Sequence, residues 1–208
     1  MDCTLRFLKP QTRAWLCRML LAALVLFMAA CNGPDAAELS LDHARTVDPP
    51  WAIKPFELTD HTGAPFLLAS LEGRWTLLFS GFTYCPDICP ATLGILKAAQ
   101  ANLAPRDDLQ TVFVTVDPER DTAASLAEYL DWFDERWIGV TGERSELDQL
   151  LESLQMAYVR VPTENNEYTM DHATAVALIG PDSKMMAFWP APLDADQVAA
   201  DLAALPSL

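Results

Sequence analysis

The chain has 208 residues, 51% of them hydrophobic, and sets 29 acidic side chains against 14 basic ones for a formal charge of −15. A field of that sign excludes nucleic acid and anionic lipid surfaces as partners, since both present arrays of phosphate. There are only five cysteines, Cys3, Cys17, Cys31, Cys85 and Cys89, too few for a fold built on disulfides.

Residues 1–18 carry Arg6, Lys9, Arg13 and Arg18, and Met19 to Ala30 is an uncharged apolar run that ends in small residues. This is the pattern of a secretory leader, too short for a transmembrane helix. Its end, Met28-Ala29-Ala30-Cys31, is close to a bacterial lipobox with methionine where leucine is usual, which predicts a lipid on Cys31. The alternative is an uncleaved N-terminal helix, and both readings place the rest of the chain outside the cytoplasm. Residues 1–30 hold four cations and one acid, so the remaining chain carries −18 and keeps two cysteines besides Cys31. Residues 31–51 are polar and proline-containing with no apolar period, and are expected to form a flexible tether; residues 52–208 are expected to form one domain.

In that domain Phe56-Glu-Leu58 and Phe66-Leu-Leu68 flank Asp60-His-Thr-Gly63 and predict a hairpin. Trp75 to Ser80 reads as a strand that leads into Gly81-Phe-Thr-Tyr-Cys-Pro-Asp-Ile-Cys-Pro90. Pro90 suits a first helical position, and Leu93, Leu96, Ala99 and Leu103 share one side of the helix that follows. Thr111 to Val116 is a buried, parallel type of strand, which completes a β-α-β unit with the cysteines at its first turn. Asp121 is read as the N-cap of the next helix, and a further helix after Thr141-Gly142 follows a short strand at Trp137 to Val140. Ala157 to Val161, Ala173 to Ile179 and Lys184 to Phe188 read as strands, before a last helix capped by Asp194 with Gln197 three residues on. The order predicts an α/β, thioredoxin-like fold: a central mixed sheet flanked by helices, with an N-terminal hairpin.

Working sites in open α/β sheets gather where loops leave the carboxyl ends of strands, and the Cys85–Cys89 turn leaves one such end. Placed at a helix N-terminus, both sulfurs are expected to be unusually anionic. As a structural staple the pair would close a short loop and remove little chain entropy. As a redox couple it has three intervening residues where oxidoreductases usually have two, and the wider spacing also leaves both sulfurs free to converge on one ion. A third ligand would come from His43, in the tether, His61, in a turn, or His172, which precedes the apolar strand Ala173 to Ile179. In a thioredoxin-like fold the loop entering that strand faces the cysteine turn, which favours His172. Met170, Met185, Met186 and Trp189 sit in strand patterns and are read as core.

The cysteine motif, then Asp117-Pro-Glu-Arg-Asp-Thr122, Thr141-Gly142, Asp171-His172 and Ile179-Gly-Pro-Asp182, in that order, resemble the Sco/SenC copper proteins over roughly residues 53–205. Tyr84 departs from the pattern, since many of those proteins have histidine there. The resemblance implies that Cys85, Cys89 and His172 bind copper. Two thiolates and an imidazole suit Cu(I), with Cu(II) as the second oxidation state; zinc accepts the same donors, but no general base for zinc hydrolysis stands beside them.

Asp117 ends the strand beside the cysteine strand and is expected behind the ligands, as a modulator or a docking acid. Arg120 is expected to pair with a nearby carboxylate. The implied function is a copper metallochaperone, lipid-anchored in the bacterial cytoplasmic membrane with its domain in the periplasm or extracytoplasmic space. It would assist assembly of the CuA centre of cytochrome c oxidase subunit II, or supply another copper-accepting protein. The alternatives are a thiol-disulfide reductase acting on the acceptor's cysteines, and a copper or redox sensor. A peroxiredoxin is disfavoured because Phe82, not threonine or serine, stands three residues before Cys85.

Overall fold

The computed structural model describes residues 39–101 and 103–208. The expected leader and the lipidation residue Cys31 lie outside the described residues. Trp75–Gly81 (β4) and Leu109–Thr115 (β5) pair in parallel, and β5 pairs in parallel with Ile138–Thr141 (β6). Every residue of β4 and six of the seven in β5 are buried, which is why these stretches read as continuous apolar runs without a period of two. Ile88–Ala101 (α1) connects β4 to β5, and Ala123–Asp131 (α2) connects β5 to β6.

On one side β4 pairs antiparallel with Val176–Ile179 (β9), which pairs with Lys184–Trp189 (β10). On the other side Glu57–Asp60 (β2) adds antiparallel to β6 and carries Pro65–Leu67 (β3). The β2–β3 turn is tied by Asp60 Oδ1, which accepts from the backbone N–H of Thr62 at 2.8 Å and of Ala64 at 3.0 Å. Arg144–Ser153 (α3) follows β6, and Ala195–Ala204 (α4) closes the chain with Asp194 as N-cap, accepting from Gln197 N. The thioredoxin-like expectation is met: a mixed eight-stranded sheet with a parallel centre, flanked by helices, with α1 packed on α4.

Three expectations need correction. The tether does not extend to Trp51, because Arg45–Ala52 is a strand (β1) pairing antiparallel with β10 at the sheet's edge. Pro49 and Pro50 made this stretch look like linker, yet an edge strand tolerates proline, and the register of β1 shifts between Thr46 and Trp51, across the prolines. Buried Asp201 of α4 fixes the entry to β1, accepting from Asp42 N at 2.8 Å, Ala44 N at 2.7 Å and Trp189 Nε1 at 2.9 Å.

The second correction concerns Asp121. Thr122 is the N-cap of α2 and accepts from Ser125 N, while Asp121 is fully buried and bonded elsewhere. The third concerns the strand expected from Ala173. It begins only at Val176, and the preceding residues Tyr168–His172 (β8) pair antiparallel with Tyr158–Pro162 (β7) as a separate two-stranded sheet. His172 is therefore the last residue of a hairpin and not part of a loop.

Candidate metal centre

The cysteine turn follows the carboxyl end of β4, where the chain reverses from an extended to a helical path. The N–H of Cys85 returns to Phe82 O at 3.1 Å, and α1 then begins at Ile88. Pro90 is thus the third helical residue and not the first, still within the turn whose N–H groups lack helical partners. One of those N–H groups, that of Cys89, points at Cys85 Sγ across 3.4 Å.

Cys89 itself belongs to the first turn and is completely buried, whereas Cys85 lies at the surface edge with 9% of its area exposed. The expectation of two unusually anionic sulfurs fails for Cys89, whose thiol burial pushes well above its ordinary range, more strongly than a backbone hydrogen bond at Phe82 pulls it down.

The β7–β8 hairpin brings His172 to this turn from 83 residues away, with Nε2 at 3.3 Å from Cys89 Sγ. Its Nδ1 lies 2.9 Å from the carbonyl oxygen of Ala173. A carbonyl only accepts, so Nδ1 carries the proton and Nε2 turns its lone pair toward the sulfur. Burial pushes the imidazole below its usual range, against the pull of that carbonyl and of Asp171, which favours the neutral ring that a metal needs. Phe79 and Phe82 both meet the ring edge-on at 5.9 Å and fix its plane.

Sγ of Cys85, Sγ of Cys89 and a ring nitrogen of His172 all lie within 4.8 Å of one another, the one such group of three found among the described residues. An ion with three bonds of roughly 2.3 Å spaces its ligand atoms by about 4 Å, so the donors need only small movements to share one. Both cysteines are free thiols, and the donor set is soft. His61 takes no part, since its Nδ1 accepts from Gly139 N at 3.1 Å, and His43 lies exposed before β1. Met170, Met185 and Trp189 are buried in the core, and Met186 packs against it.

Gly81 makes the seat of Cys89. A Cβ there would stand 2.7 Å from Phe113 Cε2 and 2.9 Å from Cys89 Sγ, and the strand setting leaves it little room to shift. Gly81→Ala is expected to lower stability by about 1–3 kcal/mol, read from the denaturation midpoint, and to weaken metal binding by displacing the sulfur. Unchanged stability would show that the Cys89 side chain moves freely.

Asp117 and Asp121 are almost fully buried, at 1% and 0% exposure. Asp117 is ion-paired to Arg120 and accepts from Tyr168 Oη at 2.9 Å. Asp121 accepts from Thr83 Oγ1 at 2.6 Å, Thr83 N at 3.1 Å and Thr115 Oγ1 at 2.6 Å, so it anchors the cysteine turn itself. Burial pushes its carboxyl upward against these three donors. Sequence reasoning missed the parts played by Thr83, Asp121 and Tyr168; the run Asp117–Thr122 was visible as a motif, but its partners lie 38 and 51 residues away.

A family model described as SCO1/SenC matches residues 45–207. A protein of Stutzerimonas stutzeri is 36% identical over 181 residues, covering 84% of this chain and 89% of its own. The mitochondrial SCO1 homolog of Homo sapiens is 33% identical over 187 residues, 87% of this chain, and the match spans 62% of the human protein. Among solved structures, Arabidopsis thaliana ScoI with copper bound superposes with a TM-score of 0.67 at 34% identity, covering 72% of this chain and 94% of its own.

Proposed function

The chain belongs to the SCO1/SenC family, and from that premise we propose that Cys85, Cys89 and His172 carry one copper ion as cargo, Cu(I) first and Cu(II) as the second state. One observation supports this above the others: the lone pair of His172 faces Cys89 while its other nitrogen is spent on a carbonyl. A dithiol reductase could use that imidazole only as a base for the thiol, whereas a metal takes it as the third donor. Three donors leave the ion open to an incoming ligand, so copper passes to an acceptor by ligand exchange without becoming free. The surface beside Cys85 suits docking, with Tyr84 64% and Ile88 40% exposed around a sulfur that is itself barely accessible.

The finer reading is a chaperone anchored through a lipid on Cys31, its domain on the outer side of the cytoplasmic membrane. The acceptor is the CuA site of cytochrome c oxidase subunit II or another protein with a thiol-rich copper site. The competing reading is reduction of the acceptor's disulfide. There the two thiols of Cys85 and Cys89 would give up two electrons and two protons, closing into a disulfide as the acceptor gains two thiols.

The test is anaerobic Cu(I) titration of the reduced chain beside a disulfide-reduction assay. One equivalent binds, and His172→Ala weakens affinity by roughly 10–100-fold, about 1.4–2.8 kcal/mol, with disulfide reduction unaffected. Unchanged copper affinity in His172→Ala, together with turnover that needs only the cysteines, sinks the chaperone reading in favour of the reductase.

A further inference from the structure

The segment Asp117-Pro-Glu-Arg-Asp121 directs side chains onto both parts of the centre. Its own backbone is a closed turn: Arg120 N and Asp121 N both return to Asp117 O, at 3.1 and 2.9 Å, Thr115 Oγ1 holds Asp117 N at 2.9 Å, and Thr141 Oγ1 donates to Asp121 O at 2.9 Å. From this fixed turn, Asp121 holds Thr83 of the cysteine turn. Three other side chains hold the hairpin that ends in His172. Asp117 accepts from Tyr168 Oη, Arg120 Nη1 donates to Tyr168 O at 3.2 Å, and Glu119 accepts from Arg160 Nη1 at 2.9 Å.

The contacts converge on one ring. The guanidinium carbon of Arg120 lies 3.9 Å from the Tyr168 centroid and that of Arg160 lies 3.6 Å from it. At such distances each stands almost directly over the ring, and two like charges fit only on opposite faces, so Tyr168 is held between them. Arg120 also lies 4.9 Å from the ring of Tyr84, the residue before Cys85. A stack of Arg160, Tyr168, Arg120 and Tyr84 thus runs from the hairpin to the cysteine turn, and Asp117 neutralises its central cation.

Arg120 holds this place with its Nη2 amino group buried and unpartnered. An unpaired buried donor detracts from stability, so fold stability alone is a poor account of the arrangement. Registration of two ligand-bearing pieces is a better one.

We propose that residues 117–121 clamp the His172 hairpin to the cysteine turn, with Arg120 as the positioning residue that sets His172 Nε2 against Cys89 Sγ. The clamp rests on the copper reading for its purpose, although its geometry stands without metal. Tyr84, exposed and in a position that looks like spare surface, becomes its outer jaw.

The experiment is a double-mutant cycle of Arg120→Met, which keeps the apolar stem, with His172→Ala, read by Cu(I) affinity of the reduced chain. Alone, Arg120→Met is expected to lower affinity about tenfold, as loss of a group supporting a ligand does. In the His172→Ala background it is expected to have no further effect, because it acts through that ligand. Where His172→Ala itself lowers affinity, equal losses in both backgrounds, or no loss in either, overturn the clamp.

The metal-free protein supplies a second reading by the ¹⁵N shifts of the His172 ring. They move in Arg120→Met and, less, in Tyr168→Phe; unmoved shifts in both overturn the clamp whether or not copper binds. If His172→Ala leaves copper affinity intact while the ring shifts move in Arg120→Met, the clamp stands and the copper reading falls.

Discussion

Cys89→Ser abolishes tight copper binding, lowering Cu(I) affinity by more than about 1,000-fold, some 4 kcal/mol, while leaving the chain folded. The sulfur is fully buried and 3.3 Å from His172 Nε2, so a serine hydroxyl in its place can donate to that nitrogen and remain satisfied. The stability cost is therefore about 1 kcal/mol. A serine oxygen, however, is hard, does not ionise near neutral pH and offers Cu(I) no comparable bond, which leaves Cys85 and His172 as the only donors. The measurement is competition with a Cu(I) chelator of known affinity, with thermal unfolding of the metal-free variant as the control. Retained affinity in a folded Cys89→Ser protein would mean that copper binds elsewhere, and the three-donor centre would have to be abandoned.

The contrast with what the sequence alone allowed follows a physical line. The β-α-β unit was legible because β4 and β5 are buried on both faces and so write their burial directly as apolar runs. The cysteine turn was legible because two prolines and a helix start bound it. His172 could be singled out from three histidines only by placing it in a fold. Even then its setting was misjudged, because a hairpin outside the main sheet, β7 with β8, has exposed faces and a weak pattern.

What escaped was decided by distant partners. β1 looks like linker by composition, and becomes a strand because β10 takes up its backbone groups, while a carboxylate on the last helix, about 157 residues away, holds the N–H groups of Asp42 and Ala44 that lead into it. Asp121 looks like a helix cap because Asp is a good cap and α2 begins nearby; Thr122 takes that place, and three donors from Thr83 and Thr115 draw Asp121 inward. A local rule reads the residue type correctly and cannot see which donor arrives.

The same burial that selects the donors makes copper binding depend on pH. Desolvation pushes the Cys89 thiol well above its usual range, so near neutral pH it holds a proton that copper must displace. His172 is pushed the other way, below 6.5, so it is already neutral at pH 7 and releases none. Each unit of falling pH therefore favours the proton over the metal at Cys89, and affinity drops by at least about tenfold per unit, or about 100-fold from pH 8 to pH 6. The opposite slope would require the site to take up a proton as the metal binds, which a thiol that must lose one to become a ligand does not do. Chelator competition across that range, corrected for the chelator's own protonation, gives the slope directly, and Cys89→Ser removes this part of it. A flat profile in the wild-type chain would show that Cys89 is already a thiolate, and that the centre opens to water far more than its burial indicates.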